Sequence, residues 1–139
     1  MKRLRHALEA ALVYFIYGVF RLFSLQTASA MGGSLGRAIG RFLPSSNTAR
    51  QNLKAAFPEK SEAEIETIVG SMWENAGRVM AEYAHLDDIW QTTTMHGIEH
   101  LLAAQDSQKP TIFFTAHIAN WETCPISARK YGVEMHTVY

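Results

Sequence analysis

The sequence predicts an α/β chain: an N-terminal membrane-associated helix, a helical region, and then the start of a parallel βαβ sheet. Three observations carry that reading. An apolar stretch of 11 residues, Ala10 to Phe20, follows a basic start. Apolar residues recur at spacings of three and four between Ile65 and Tyr83, the period of one helix face. Two β-branched and aromatic runs, Thr111–Thr115 and Val133–Tyr139, flank a helical stretch, which is the order of a βαβ unit.

Composition bounds the function before any motif is read. The 139 residues carry 13 Lys and Arg against 13 Asp and Glu, a balance that excludes a generally basic nucleic-acid binder. At 47% hydrophobic the chain is too apolar for a disordered tail. A single cysteine excludes a disulfide scaffold and a cysteine zinc cluster. The neutral total is nevertheless a cancellation. Residues 1–50 hold seven bases against Glu9, a net charge of +6, and residues 51–139 hold six bases against twelve acids, a net charge of −6.

Residues 1–30 read first as a membrane anchor or interfacial helix, with 31–139 as the following domain. Arg21 interrupts the apolar stretch before Leu22, Phe23 and Leu25 resume it, so it falls short of the ~20 apolar residues of a full span. Tyr14 and Tyr17 suit an interface better than a bilayer centre. Ala28-Ser29-Ala30 has the form of a signal-peptide cleavage site, although Arg21 stands between it and the apolar core. A buried helix of an ordinary core is the third reading. A retained anchor is favoured, with Arg37, Arg41 and Arg50 keeping positive charge near an anionic leaflet.

Asn47 is placed to cap a short basic helix, Thr48 to Phe57, which ends before Pro58. Ser61 with Glu64 has the capping-box form, and predicts a helix over about 62–85. Its Met and Trp positions read as core. Glu62, Glu64, Glu66, Glu74 and Glu82 read as its solvated face. Gln91–His96, rich in threonine, reads as a short strand, and Ile98 to about Gln105 as a helix. Trp121 to Lys130 reads as helical, with Pro125 in its first turn. The chain stops at Tyr139 inside the second apparent strand, so it reads as the front part of a longer protein.

The most pointed pattern is Thr115-Ala116-His117-Ile118-Ala119-Asn120-Trp121-Glu122. A histidine after a buried strand and a glutamate opening the next helix can form a His–carboxylate pair. The carboxylate fixes the ring tautomer and stabilises the imidazolium formed when the ring takes a proton. No serine or cysteine nucleophile is needed if the acceptor brings a hydroxyl. The plain alternative is a strand-end histidine beside a glutamate favoured by the helix dipole. His96-Gly97-Ile98-Glu99-His100 also fits the H-x-x-E-H zinc motif. Gly97 and the preceding threonines argue against the continuous helix that motif requires. Cys124 reads as a packing thiol, and His6, His85 and His136 carry no assignment.

Arg50-Gln51-Asn52-Leu53, Ala56-Phe57-Pro58, Glu82-Tyr83, Gly97-x-Glu99-His100-Leu101 and His117-x4-Glu122 stand in one order and spacing. In these the chain resembles the lipid A biosynthesis acyltransferases, the lauroyl and myristoyl transferases with an H-x4-D/E motif. The family's usual form is close to G-H-F-G-N-W-E; here Ala116 and Ala119 stand at its glycines and Ile118 at its aromatic. The resemblance implies an O-acyltransferase on the cytoplasmic side of the inner membrane. It implies acyl transfer from a thioester, acyl carrier protein or coenzyme A, to a hydroxyl of a lipid A precursor or another lipid acceptor. His117 is then the general base and Glu122 its partner, with main-chain amides around Asn120–Glu122 as oxyanion donors and no metal or organic cofactor. The family's further arginine and acidic motifs fall beyond Tyr139, so residues 1–139 alone are expected to be inactive. A zinc hydrolase built on His96, Glu99 and His100 and a non-catalytic membrane-associated module are the readings of other classes.

Overall fold

A computed structural model describes residues 2–107, 109–116, 118–133 and 136. They divide into two compact units, Met1–His85 and Leu86–Tyr139. The first unit contains α1 (Lys2–Arg21), α2 (Leu25–Gly40), α3 (Ser45–Ala56) and α4 (Glu62–Glu82), closed by a 3-10 turn at Tyr83–His85.

Small residues decide how the first unit packs. Ala28, Gly32, Gly36 and Gly40 recur every fourth residue along one face of α2, and α4 meets that face with Trp73, Gly77 and Ala81. The backbones touch: a Cβ on Gly36 would overlap the carbonyl oxygen of Trp73, and one on Gly32 would stand 2.6 Å from the Cβ of Ala81. A Cβ on Gly40 would enter the Trp73 ring. Such i, i+4 ridges of small residues let two helices approach along their main chains. Ala28, Ile65, Val69 and Ala81 form the buried centre of the unit.

Ser61 accepts from the Glu64 amide at 3.4 Å, and the Glu64 carboxylate accepts from the Ser61 amide at 2.9 Å. The capping box therefore starts α4 where the sequence predicts. The acidic row behind it is exposed at Glu62, Glu64 and Glu66 and half-buried at Glu74 and Glu82, and most of it has partners. Glu62 takes Lys54, Glu66 takes Arg50, and Glu74 takes Arg37 and Arg78; Glu82 accepts from Ser29 Oγ. Basic residues of α2 and α3 thus meet the carboxylates of α4, and Arg37 and Arg50 pair across the two oppositely charged halves of the sequence. Arg37 and Arg50, expected to keep positive charge near a membrane surface, pair with Glu74 and Glu66.

The predicted anchor is two helices. Ser24 caps α2, accepting from the Thr27 amide at 3.3 Å. No residue of α1 is buried. Its C-terminal end is held by His85: Arg21 Nη1 donates to His85 Nδ1 at 3.2 Å and to the Ala84 carbonyl at 3.1 Å. His85 Nε2 in turn donates to the Phe20 carbonyl at 3.1 Å. A guanidinium only donates and a carbonyl only accepts, so this histidine carries its proton on Nε2. α3 begins at Ser45, so Asn47 lies inside it and accepts from Arg50 at 3.1 Å instead of capping.

The second unit holds α5 (Leu86–Thr92), α6 (Ile98–Asp106) and α7 (Thr123–Lys130). α5 and α7 pack together; Ile89 and Ala128 are buried, and Trp90 lies edge-on to Tyr131 at 5.5 Å. Gln105 Nε2 donates to the Gly132 carbonyl at 3.2 Å and ties α6 to the end of α7.

The fold class is corrected here. Among the described residues there is no strand, so the α/β reading with the start of a parallel sheet does not hold. Gln91 and Thr92 close α5 instead of opening a strand: the hydroxyls of Thr92 and Thr93 donate back to the Ile89 carbonyl at 3.0 and 2.8 Å. That back-bonding lets β-branched threonines end a helix. Thr111–Ala116 has neither helix nor ladder. A strand exists only where a neighbour takes its amides and carbonyls, and here Ile112 is 78% and Phe114 92% exposed. Of the second expected strand, Val133 and His136 belong to no strand, and residues 134, 135 and 137–139 lie outside the described residues.

Candidate active site

The His117-x4-Glu122 segment joins the exposed run 111–116 to α7. His117 itself lies outside the described residues; its neighbours define the local chain. Ile118 donates its amide to the Ala116 carbonyl at 2.7 Å, and Trp121 to the Ala119 carbonyl at 3.2 Å. The second of these bonds closes a tight three-residue turn over Ala119–Trp121. Its first residue, Ala119, holds φ at +52°, a left-handed conformation that costs an alanine about 1–2 kcal/mol. Ala119 is the only non-glycine residue with positive φ among those described. It stands where the resembling family has glycine.

Glu122 is the residue that opens α7, with helical backbone angles and no bond from its side chain to the helix amides. Thr123 donates its hydroxyl to the Asn120 carbonyl at 2.9 Å, which fixes the entry into the helix. Asn120, Trp121 and Glu122 are each half-buried, so the turn presents groups that are partly screened from water. Of the main-chain amides expected to bind an oxyanion, that of Trp121 is already committed to Ala119. Cys124 is exposed, its sulfur 4.0 Å from Thr115 Oγ1.

The H-x-x-E-H motif is divided by a helix start. Gly97, at φ +77°, precedes the first residue of α6, so His96 lies outside the helix that carries His100. Glu99 and His100 approach to 3.8 Å with side chains 71% and 88% exposed. Among the described residues no group of three His, Cys, Asp or Glu is placed to hold a metal ion. No described helix is long and apolar enough to cross a membrane.

Two features escaped the sequence reading. His85 carried no assignment, yet it is buried and holds the end of α1. Its signal was faint, because its partner Arg21 lies 64 residues away. The strained backbone of Ala119 was foreshadowed only by the alanine standing at a family glycine.

The turn delivers a half-buried carboxylate, Glu122, at the start of α7. The family model of the bacterial lipid A biosynthesis acyltransferases matches residues 1–139, and the chain belongs to that family. Comparisons with curated proteins and with solved structures give no match.

Proposed function

We propose that this protein transfers a fatty acyl group from an acyl thioester, acyl carrier protein by preference, to a hydroxyl of a lipid A precursor. Family membership over the whole chain carries the reading, and the half-buried Glu122 at the start of α7 supports it.

His117 takes the proton of the acceptor hydroxyl as its oxygen attacks the thioester carbonyl. The tetrahedral intermediate collapses, the carbon–sulfur bond breaks, and His117 returns the proton to the departing thiolate. Glu122 holds the ring and stabilises the imidazolium between those two transfers. The thioester is already an activated acyl donor, so the reaction needs no metal or organic cofactor. Donor and acceptor meet at the cytoplasmic face of the inner membrane, where a water-soluble carrier and a lipid are both within reach.

The test is acyl transfer by the natural protein in detergent, with acyl carrier protein and coenzyme A thioesters offered separately. The reading expects an ester on the lipid A precursor and faster transfer from the carrier-protein donor. Ester formation on a glycerol phospholipid but not on the lipid A precursor would reassign the acceptor. No transfer from either donor would overturn the function.

A further inference from the structure

From Pro110 to Trp121 the chain holds no Asp, Glu, Lys or Arg. Large apolar side chains of this segment stand in water: Phe114 is 92% and Ile118 78% exposed. They lie three residues before His117 and one residue after it. The chain on both sides of the proposed base is therefore apolar and open, the character of a surface that receives a hydrocarbon. Ile118 is also held in place. Its amide donates to the Ala116 carbonyl at 2.7 Å, and the next residue, Ala119, accepts from the Trp121 amide with φ at +52°. Branching at Cβ leaves isoleucine few χ1 rotamers. The side chain thus presents a nearly fixed apolar surface, while the polar groups that follow, Asn120 and Glu122, are half-buried.

Covalent geometry limits what Ile118 can touch. Consecutive Cα atoms stand about 3.8 Å apart, so a carbonyl that reacts at His117 brings the carbons beside it within reach of the isoleucine. In a fatty acyl thioester those carbons are C2 and C3. We infer that Ile118 packs against C2 and C3 of the acyl donor and selects chains that carry no polar substituent there. A hydroxyl on C3 would be pressed against a side chain that offers it no partner, and an unpaired polar group pressed out of water weakens binding. This rests on the acyl-transfer reading proposed above and adds which part of the donor one residue recognises.

Paired donors test it. Dodecanoyl and 3-hydroxydodecanoyl thioesters of acyl carrier protein are offered to the natural protein in detergent with a lipid A precursor, and kcat/KM is measured for each. The parent should prefer the unsubstituted chain by about tenfold or more. Ile118→Thr keeps the branching and sets a hydroxyl where a methyl stood; it should cut that preference at least about fivefold. Ile118→Val keeps both the branching and the apolar character, and should keep the preference. The side chain is exposed, so circular dichroism should not change in either variant. A parent that uses both donors alike overturns the inference while acyl transfer stands. So does an Ile118→Thr protein that slows on both donors in equal proportion, because the residue would then act on the turn and not on the chain. Self-association of the parent that Ile118→Thr abolishes, with the preference unmoved, would assign the apolar surface to a second copy and also overturns the inference. No transfer from either donor overturns the acyl-transfer reading itself, and the inference with it.

Discussion

The indole Nε1 of Trp73 donates to the hydroxyl of Ser46 at 2.7 Å, and that hydroxyl donates onward to the Gly40 carbonyl at 2.7 Å. Ser46 is fully buried. One hydroxyl thus joins α2, α3 and α4 where Trp73 lies against a glycine that leaves room for its ring. Ser46→Ala would strand a buried indole donor, at a cost of about 1–3 kcal/mol. Urea unfolding of the 139-residue chain should show the midpoint fall; an unchanged midpoint would mean that the bond adds nothing.

The close crossing of α2 and α4 makes a sharper prediction. Gly36→Ala and Gly77→Ala each push a methyl into a facing main chain, which cannot rotate away as a side chain can. Each should destabilise the first unit by about 1–3 kcal/mol or more. Gly18→Ala, where nothing lies within 4 Å, should instead raise helix stability by about 0.5–1 kcal/mol. Equal effects at the three glycines would contradict backbone contact between α2 and α4.

Acid should loosen the same unit. The side-chain bonds from Arg78 and Arg37 hold the Glu74 carboxyl below the usual glutamate range, the bond from Arg50 does so for Glu66, and Ser61 does so for Glu64. A carboxyl lowered in the folded state stabilises it above the unfolded pKa of about 4.3. That contribution fades as pH falls below this value and through the folded ones. Unfolding midpoints followed from pH 7 downward should therefore drop below about pH 5. Glu74→Gln should flatten part of that drop; an identical pH dependence in the variant would remove the Arg37–Glu74–Arg78 group from the account. All three carboxylates face water, so salt should reduce the effect.

Ala119→Gly removes the left-handed strain from the turn before Glu122. Stability should rise by about 1 kcal/mol with no loss of acyl transfer, since only the Ala119 methyl is removed. A glycine variant less stable than the parent would show that the turn does not hold φ where the structure puts it.

Much of the helical half was legible in the sequence, because its signals are local. The apolar period over Ile65–Tyr83, the Ser61–Glu64 box and Pro125 near the start of a helix each act within a few residues. The solvated face of α4 was legible at Glu62, Glu64 and Glu66; its ion pairs were not, because the partners Arg37, Arg50 and Lys54 belong to other helices. The strands failed for a related reason. Thr111–Thr115 has the composition of a strand, but pairing is supplied by a neighbour and not by composition. In Thr92 and Thr93 the same β-branched character serves a helix end, through bonds to Ile89. At the candidate site the helix start near Glu122 was legible, whereas the strained turn at Ala119 had no local signal beyond the alanine itself.

The central claim is that the His117–Glu122 segment is the acid–base machinery of an acyltransferase. The most direct measurement is the single-turnover rate of acyl transfer to a lipid A precursor by the natural protein, beside its His117→Ala and Glu122→Gln variants, with folding checked by circular dichroism. The account predicts a loss of about 10²–10⁴ in rate for His117→Ala, with a strong but smaller loss and an altered pH profile for Glu122→Gln. Transfer by folded His117→Ala protein within a few-fold of the parent rate would contradict it.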